Sequence, residues 1–243
     1  VNLKAAVKTI GIGAFAMCPF LDLHIDEQAK ITSIGNGAFY KSPIKGDLKF
    51  LDLVDLGQHA FYYCTKVNSI DIKIKNAIPV SAFEHCGGQL TVNIEKNNDD
   101  LIEYTIGSDA FAFSNINSIV IPPFFTLIDD NAFQYSTIRS LTLQTDNETA
   151  QTINGFAFYK CSFGDTKIQI QSTVTSIGEY AFANTVMSGV LIESSHQNPT
   201  EISQYAFYGS SMNSLQFGSY PSTFDSTSFA RCQKITSINF GNL

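Results

Sequence analysis

Ten phenylalanines divide this chain at near-equal intervals. Phe15, Phe39, Phe61, Phe83, Phe111, Phe133, Phe158, Phe182, Phe207 and Phe229 each belong to the figure Ala-Phe-x-x-(Cys/Ser/Thr), with Ser228 replacing alanine in the last. Successive spacings are 24, 22, 22, 28, 22, 25, 24, 25 and 22 residues. Self-similarity at a period in the twenties is the mark of a solenoid, in which each unit buries its apolar face only against its neighbours. The phenylalanines are therefore expected to form a structural core ladder.

The remaining columns follow by counting from each phenylalanine. Five residues earlier stand Ile10, Ile34, Leu56, Ile78, Ile106, Ile128, Ile153, Ile177, Ile202 and Phe224, all large and apolar. The next position holds Gly11, Gly35, Gly57, Pro79, Gly107, Asp129, Asn154, Gly178, Ser203 or Asp225. These residue types tolerate positive φ or favour turns and helix starts. A sharp change of direction followed by a short helical or 3₁₀ turn is expected there. The alanine before each phenylalanine is small enough for one coil's turn to pack closely on the next. Three residues after the phenylalanine come Cys18, Ser42, Cys64, Cys86, Ser114, Ser136, Cys161, Thr185, Ser210 and Cys232.

Beyond that position runs an alternating segment, for example Val67-Asn68-Ser69-Ile70-Asp71-Ile72, which reads as a strand with one buried face. The inward pairs run from Leu23/Ile25 through Leu48/Phe50 and Ile70/Ile72 to Ile238/Phe240, and in the fourth unit are either Leu90/Val92 or Val92/Ile94. Stacked at about 4.8 Å, ten such strands would make a parallel sheet roughly 45–50 Å long. The repeat is too short for a regular crossover helix, so little helix is expected. The outward residue at the middle of each strand is His24, Lys49, Asp71, Asn93, Val120, Thr142, Gln169, Leu191, Gln216 or Asn239. This face is the candidate partner-binding surface, although it lacks the Trp, Tyr and Arg anchors of interface hot spots.

Composition removes several function classes. The net charge of −7, with 15 Lys and Arg against 22 Asp and Glu, is wrong for sequence-independent nucleic-acid binding and for anionic membranes. No apolar run approaches the roughly 20 residues that cross a bilayer, so no direct membrane insertion is expected. The chain opens on Val1 and shows no polar terminal caps, so a single solenoid domain over 1–243, cut from a longer protein, is expected.

All five cysteines occupy one repeat position that elsewhere holds serine or threonine, which reads as free, buried thiols rather than disulfides or metal. His24, His59, His85 and His196 follow no zinc spacing and read as solvated residues. Asp99-Asp100 and Asp129-Asp130 lack a calcium-loop pattern, and turn capping explains Asp129 better. No nucleophile elbow, phosphate loop or dinucleotide fingerprint is present, so neither catalysis nor a cofactor is expected. Phe124, beside Pro122-Pro123, is an unusual extra aromatic, and Asn147-Glu148-Thr149 is a glycosylation sequon on a loop.

The pattern Ile-Gly-x-x-Ala-Phe-x-x-Cys-x-x-Leu-x-x-Ile-x-Ile resembles the BspA-like group of leucine-rich repeats. Its nearest units are Ile34-Gly35-Asn36-Gly37-Ala38-Phe39 and Ile177-Gly178-Glu179-Tyr180-Ala181-Phe182, and the likeness covers essentially the whole chain. It departs in two places: the proline common after the strand is clear only at Pro122, and the fourth unit carries Pro79 where glycine is usual. The resemblance implies a right-handed, mostly β leucine-rich-repeat solenoid of the α/β type with no catalytic residues. It further implies a secreted or cell-surface module that binds host or partner-cell proteins, extracellular matrix among them. An intracellular scaffold in a cytoplasmic assembly, or a spacer presenting another domain, remains open beside it.

Overall fold

The computed structural model describes all residues except 21, 27–28, 76, 97–102, 147, 196–198, 220–221 and 242–243. It is a β-solenoid of about ten coils built from parallel strands, and the described residues contain no helix. Each coil contributes one strand to each of two ladders. The ladder after the turn contains Lys45–Phe50, Lys66–Ile74, Leu90–Lys96 and Asn115–Ile121, followed by Leu141–Leu143. A second ladder, before the turn, carries the isoleucine column: Thr9–Ile10, Ser33–Ile34 and Asp55–Leu56 form one sheet, and seven strands from Ala77–Ile78 to Thr223–Phe224 form another.

Register settles the open pair in the fourth unit. Ile70 faces Val92 and Ile72 faces Ile94, so Val92/Ile94 is the inward pair. A shift between Ile116 and Ser118 then sets Leu90 against Ile116 and Val92 against Ile119.

The long sheet of the strand face is present in segments. His24–Ile25 pairs only with Asn2–Leu3 of the preceding coil among the described residues and forms no ladder with Lys45–Phe50. A second break separates Leu141–Leu143 from Lys167–Ile170, where Gly164, at φ 58°, and the residues after it lengthen the approach. Continuity across it is kept by single parallel bridges from Thr137 to Ser162, Ser162 to Val186 and Val186 to Ser211.

The Ala-Phe segments are chains of β-turns rather than helical turns, and their hydrogen bonds show why. In the coil around Phe39, the amides of Ala38, Tyr40 and Ser42 bond three residues back, to Gly35, Gly37 and Phe39. The intervening amides of Gly37, Phe39 and Lys41 instead reach the next coil, on Gln58, Ala60 and Tyr62 (2.7–2.9 Å). Except at Thr227, the residues two before and two after each phenylalanine sit at positive φ, for example Gly37 at 59° and Lys41 at 52°. A left-handed residue every fourth position aims these amides sideways and prevents the turn from propagating as a helix.

The glycines four residues before the phenylalanines serve a different purpose from the expected left-handed turn. Gly35, Gly57, Gly107 and Gly178 do not have positive φ. A Cβ at Gly178 would lie 2.7 Å from backbone atoms of Asn154 and Gly155 in the preceding coil. Gly11, in the first coil, meets nothing within 4 Å. Where Gly35, Gly57, Gly107 and Gly178 stand in this column they accommodate a close backbone approach between coils, while other coils hold Pro79, Asp129, Asn154, Ser203 or Asp225 there.

Inside, the phenylalanine rings from Phe39 to Phe207 are fully buried and stacked at 4.9–5.3 Å between centroids. Phe15 and Phe229, at the two ends, are only partly buried. Each buried ring contributes about 1.5–3 kcal/mol through removal from water.

Candidate functional site

The strand face comes together in groups rather than as one surface. Lys49, Asp71 and Asn93 lie side by side in register, Val120 sits beside Thr142, and Gln169, Leu191, Gln216 and Asn239 form a third row. His24 stands apart, paired with Asn2. Parallel register places identical strand positions next to one another, so outward polar residues meet across coils. Lys49 Nζ lies 3.7 Å from Asp71 Oδ2, and Asn93 Nδ2 donates to Asp71 Oδ1 at 2.6 Å. Gln169 donates to Glu193, and Lys167 Nζ reaches past one coil to Gln216 Oε1 at 2.8 Å. These side chains largely satisfy one another, which leaves a flat, polar and mostly uncharged surface. Phe124 adds no exposed anchor: it packs edge-on against Tyr104 at 4.9 Å and leans on the core.

The turn edge carries what the strand face lacks. Two residues after each phenylalanine, the coils from Phe61 to Phe133 place Tyr63, His85, Phe113 and Tyr135, every one at positive φ. Their rings form an outer column with centroid spacings of 5.0, 4.7 and 4.9 Å. Tyr63, Phe113 and Tyr135 remain 48%, 42% and 43% exposed. The column crosses through Tyr159 to Phe156, Tyr180 and Tyr205, where the rings occupy the position two before the phenylalanine. His59 and His85 are thus part of an aromatic surface rather than isolated solvated residues.

Cations of the chain itself lie on these rings. Lys41 sits over Tyr40 at 5.3 Å, Lys160 over Tyr135 and Tyr159 at 5.1 and 5.2 Å, and Arg231 over Tyr208 at 5.5 Å. Lys160 Nζ also donates to the Tyr135 hydroxyl at 3.4 Å, and that acceptor holds its ammonium above the usual lysine range. Burial, and then the neighbouring Glu84 carboxylate, pushes the Tyr62 phenol up. Sequence reasoning missed this edge because it sought anchors only among outward strand residues. The signal was present as recurrent Tyr, Phe and His two residues either side of the core phenylalanine.

The Cys/Ser/Thr column forms a hydrogen-bond ladder between coils. Ser136 Oγ donates to the Phe111 carbonyl of the preceding coil at 2.7 Å and accepts the Ser114 amide at 3.1 Å. Cys64 Sγ approaches the Phe39 carbonyl at 3.1 Å, and Cys161 Sγ the Phe133 carbonyl at 2.8 Å. Every cysteine is free. Burial pushes the Cys64 thiol up to about 12 and raises Cys86 and Cys161 as well, so each stays a protonated donor.

Asp129 works as a turn residue: its carboxylate accepts the Asp130 amide, the Ser108 hydroxyl and the Asn154 amide group. Among the described residues no group of three His, Cys, Asp or Glu side chains is placed to hold a metal ion. Nor is any helix there long and apolar enough to cross a membrane. Asp99, Asp100, Asn147 and His196 lie outside the described residues.

A family model described as the BspA-type leucine-rich repeat region matches this chain in six copies, over residues 1–105, 102–198 and 151–243. No curated protein matches it.

Proposed function

The chain belongs to the BspA-type leucine-rich-repeat family, and on that premise we propose that it is a secreted or cell-surface module that recognises proteins of a host or partner cell. The family is one of repeat proteins for protein interaction, generally without catalysis and typically surface-associated in bacteria. The observation that carries the reading is a stack of coils whose buried columns keep to a few small or apolar side chains while the outward strand positions hold many different ones. Such a scaffold fixes the backbone beneath its contact residues before binding, which lowers the ordering cost. The strand face, from Lys49 to Asn239, is the first surface we assign to a partner.

Two measurements test this. Labelling intact cells of the source organism with an antibody to the chain should give a surface signal; signal only after permeabilisation would favour the cytoplasmic scaffold. Pull-down of the surface partner should weaken when Lys49, Asp71, Gln169 and Leu191 are replaced together. Unchanged capture would remove the strand face from the reading.

A further inference from the structure

Resting on the protein-recognition reading, we propose that a cleft between the first two coils, on the strand face, admits a short extended segment of a partner protein as an added strand. The cleft has a volume of about 710 Å³, with Leu23, Ile25 and Ala29 on one wall and Lys45, Leu48 and Lys49 on the other. The two coils are joined on both sides of it. Met17 donates its amide to the Tyr40 carbonyl at 2.7 Å before the cleft, and Val54 donates to Thr32 at 2.8 Å beyond it. In the core, Phe15 and Phe39 stack at 5.5 Å. The separation is thus confined to His24–Ile25 and Lys45–Phe50, which form no ladder with each other. Ser42 marks where the junction opens. At the same repeat position Ser114 and Ser136 donate to the phenylalanine carbonyl of the preceding coil, whereas the buried Ser42 hydroxyl has no partner among the described residues.

The main chain of the two walls selects the occupant. In a parallel ladder one residue directs both its N–H and its C=O to one neighbour, and the next residue directs both to the other. His24 and Asp26 donate back to Val1 and Leu3, which turns the main-chain groups of Ile25 toward the cleft. On the opposite wall the inward residues face forward, as Ile119 does to Ser140 and Ile170 to Glu193 in later coils. Leu48 and Phe50 therefore face the next strand, and the groups of Lys49 between them face the cleft. Among the described residues no ladder uses these groups of Ile25 and Lys49. Main-chain donors and acceptors on two facing edges are matched by the main chain of a third strand. Side chains refine the fit. Leu23, Ile25 and Leu48 lean on the core while His24 and Lys49 point to solvent, so a segment of alternating apolar and polar residues suits the slot. Lys30, Lys45 and Lys49 are balanced there by Asp26, Asp47 and Asp52, so neither sign of charge is called for. A second copy offers little, because its strands are held in ladders of their own.

The experiment titrates the whole chain into a fluorescein-labelled copy of Lys66–Ile74, the alternating segment that already pairs with the other edge of Lys45–Phe50, and follows anisotropy. Two further copies carry N-methyl groups on alternate amides, one copy for each edge of the strand. The unmodified peptide should bind, and each methylated copy should bind at least about tenfold more weakly, because one wall loses its hydrogen bonds. Hydrogen exchange at the Ile25 and Lys49 amides should slow when the peptide is added. Lys49→Pro, which removes the amide on one wall, should weaken binding to a similar extent; if that variant unfolds, the exchange measurement decides. No binding, equal binding by the methylated copies, or unchanged exchange at both amides overturns the proposal. Self-association of the chain that the peptide displaces would assign the cleft to a second copy and overturns it as well. A chain that ignores the peptide yet loses its surface partner when Gln169 and Leu191 are replaced refutes this cleft and leaves the recognition reading intact.

Discussion

The inner stack from Phe39 to Phe207 and the outer column from Tyr63 to Tyr135 run parallel at the same interval, 4.9–5.3 Å inside and 4.7–5.0 Å outside. The interval is set by the backbone, since both follow the spacing of parallel strands. What differs is the free-energy balance at each ring. An inner phenylalanine loses all contact with water. An outer ring keeps close to half of its surface exposed and occupies a backbone region that costs an L-residue roughly 1–2 kcal/mol. Ring stacking of about 0.5–1.5 kcal/mol does little more than offset that cost. Regular aromatic stacking is thus evidence of stabilisation on one side of the turn and not on the other.

Substitutions can break or sharpen this contrast. Phe111→Ala, in the middle of the inner stack, should lower stability by about 3–5 kcal/mol in denaturant titration; a loss below about 1 kcal/mol would abolish the distinction. Gly178→Ala should cost about 1–3 kcal/mol, because the new methyl meets backbone of the preceding coil. Gly11→Ala, with nothing nearby, is the control and should be nearly silent. Ser136→Ala leaves the Phe111 carbonyl and the Ser114 amide without their partner and should cost about 1–2 kcal/mol by the same titration. Among the non-control substitutions the smallest effect belongs to the outer column: Phe113→Gly should change stability by less than about 1 kcal/mol, because relief of the left-handed backbone and loss of stacking nearly cancel. A large loss there would make the outer rings structural.

The coil count, the parallel strands and the outward strand residues were legible because each column repeats one kind of side chain. The pairing of Lys49 with Asp71 follows from the same regularity, since the two are 22 residues apart at equivalent positions. The glycine column was legible in place but not in purpose. Glycine answers both a positive φ and a close neighbour, and sequence does not distinguish them until a Cβ is set against the preceding coil. The left-handed positions were hidden for the opposite reason. They hold Met17, Lys41, Tyr63, His85, Phe113, Asn184, Gly209 and Arg231 among others, so no residue type marks them. The isolation of His24 was also out of reach, because it depends on where a strand stops rather than on what it contains.

One consequence follows from the alternation of amides in the turns. From the coil of Phe15 to that of Phe207, the phenylalanine amide is donated forward, to the carbonyl just before the next coil's phenylalanine. At the column four residues earlier the sense reverses, with Gly35 donating back to Ile10 and Gly57 to Ile34. Every junction from the coil of Phe15 to that of Phe229 therefore presents the same forward plug, and all but the one at Pro79, which has no amide hydrogen, the same backward bond. Deleting or duplicating one whole unit rejoins matching halves, whereas an indel of a few residues within the turn misaligns both. Such a gene can change the length of its product in steps of one coil while each surviving junction stays chemically the same.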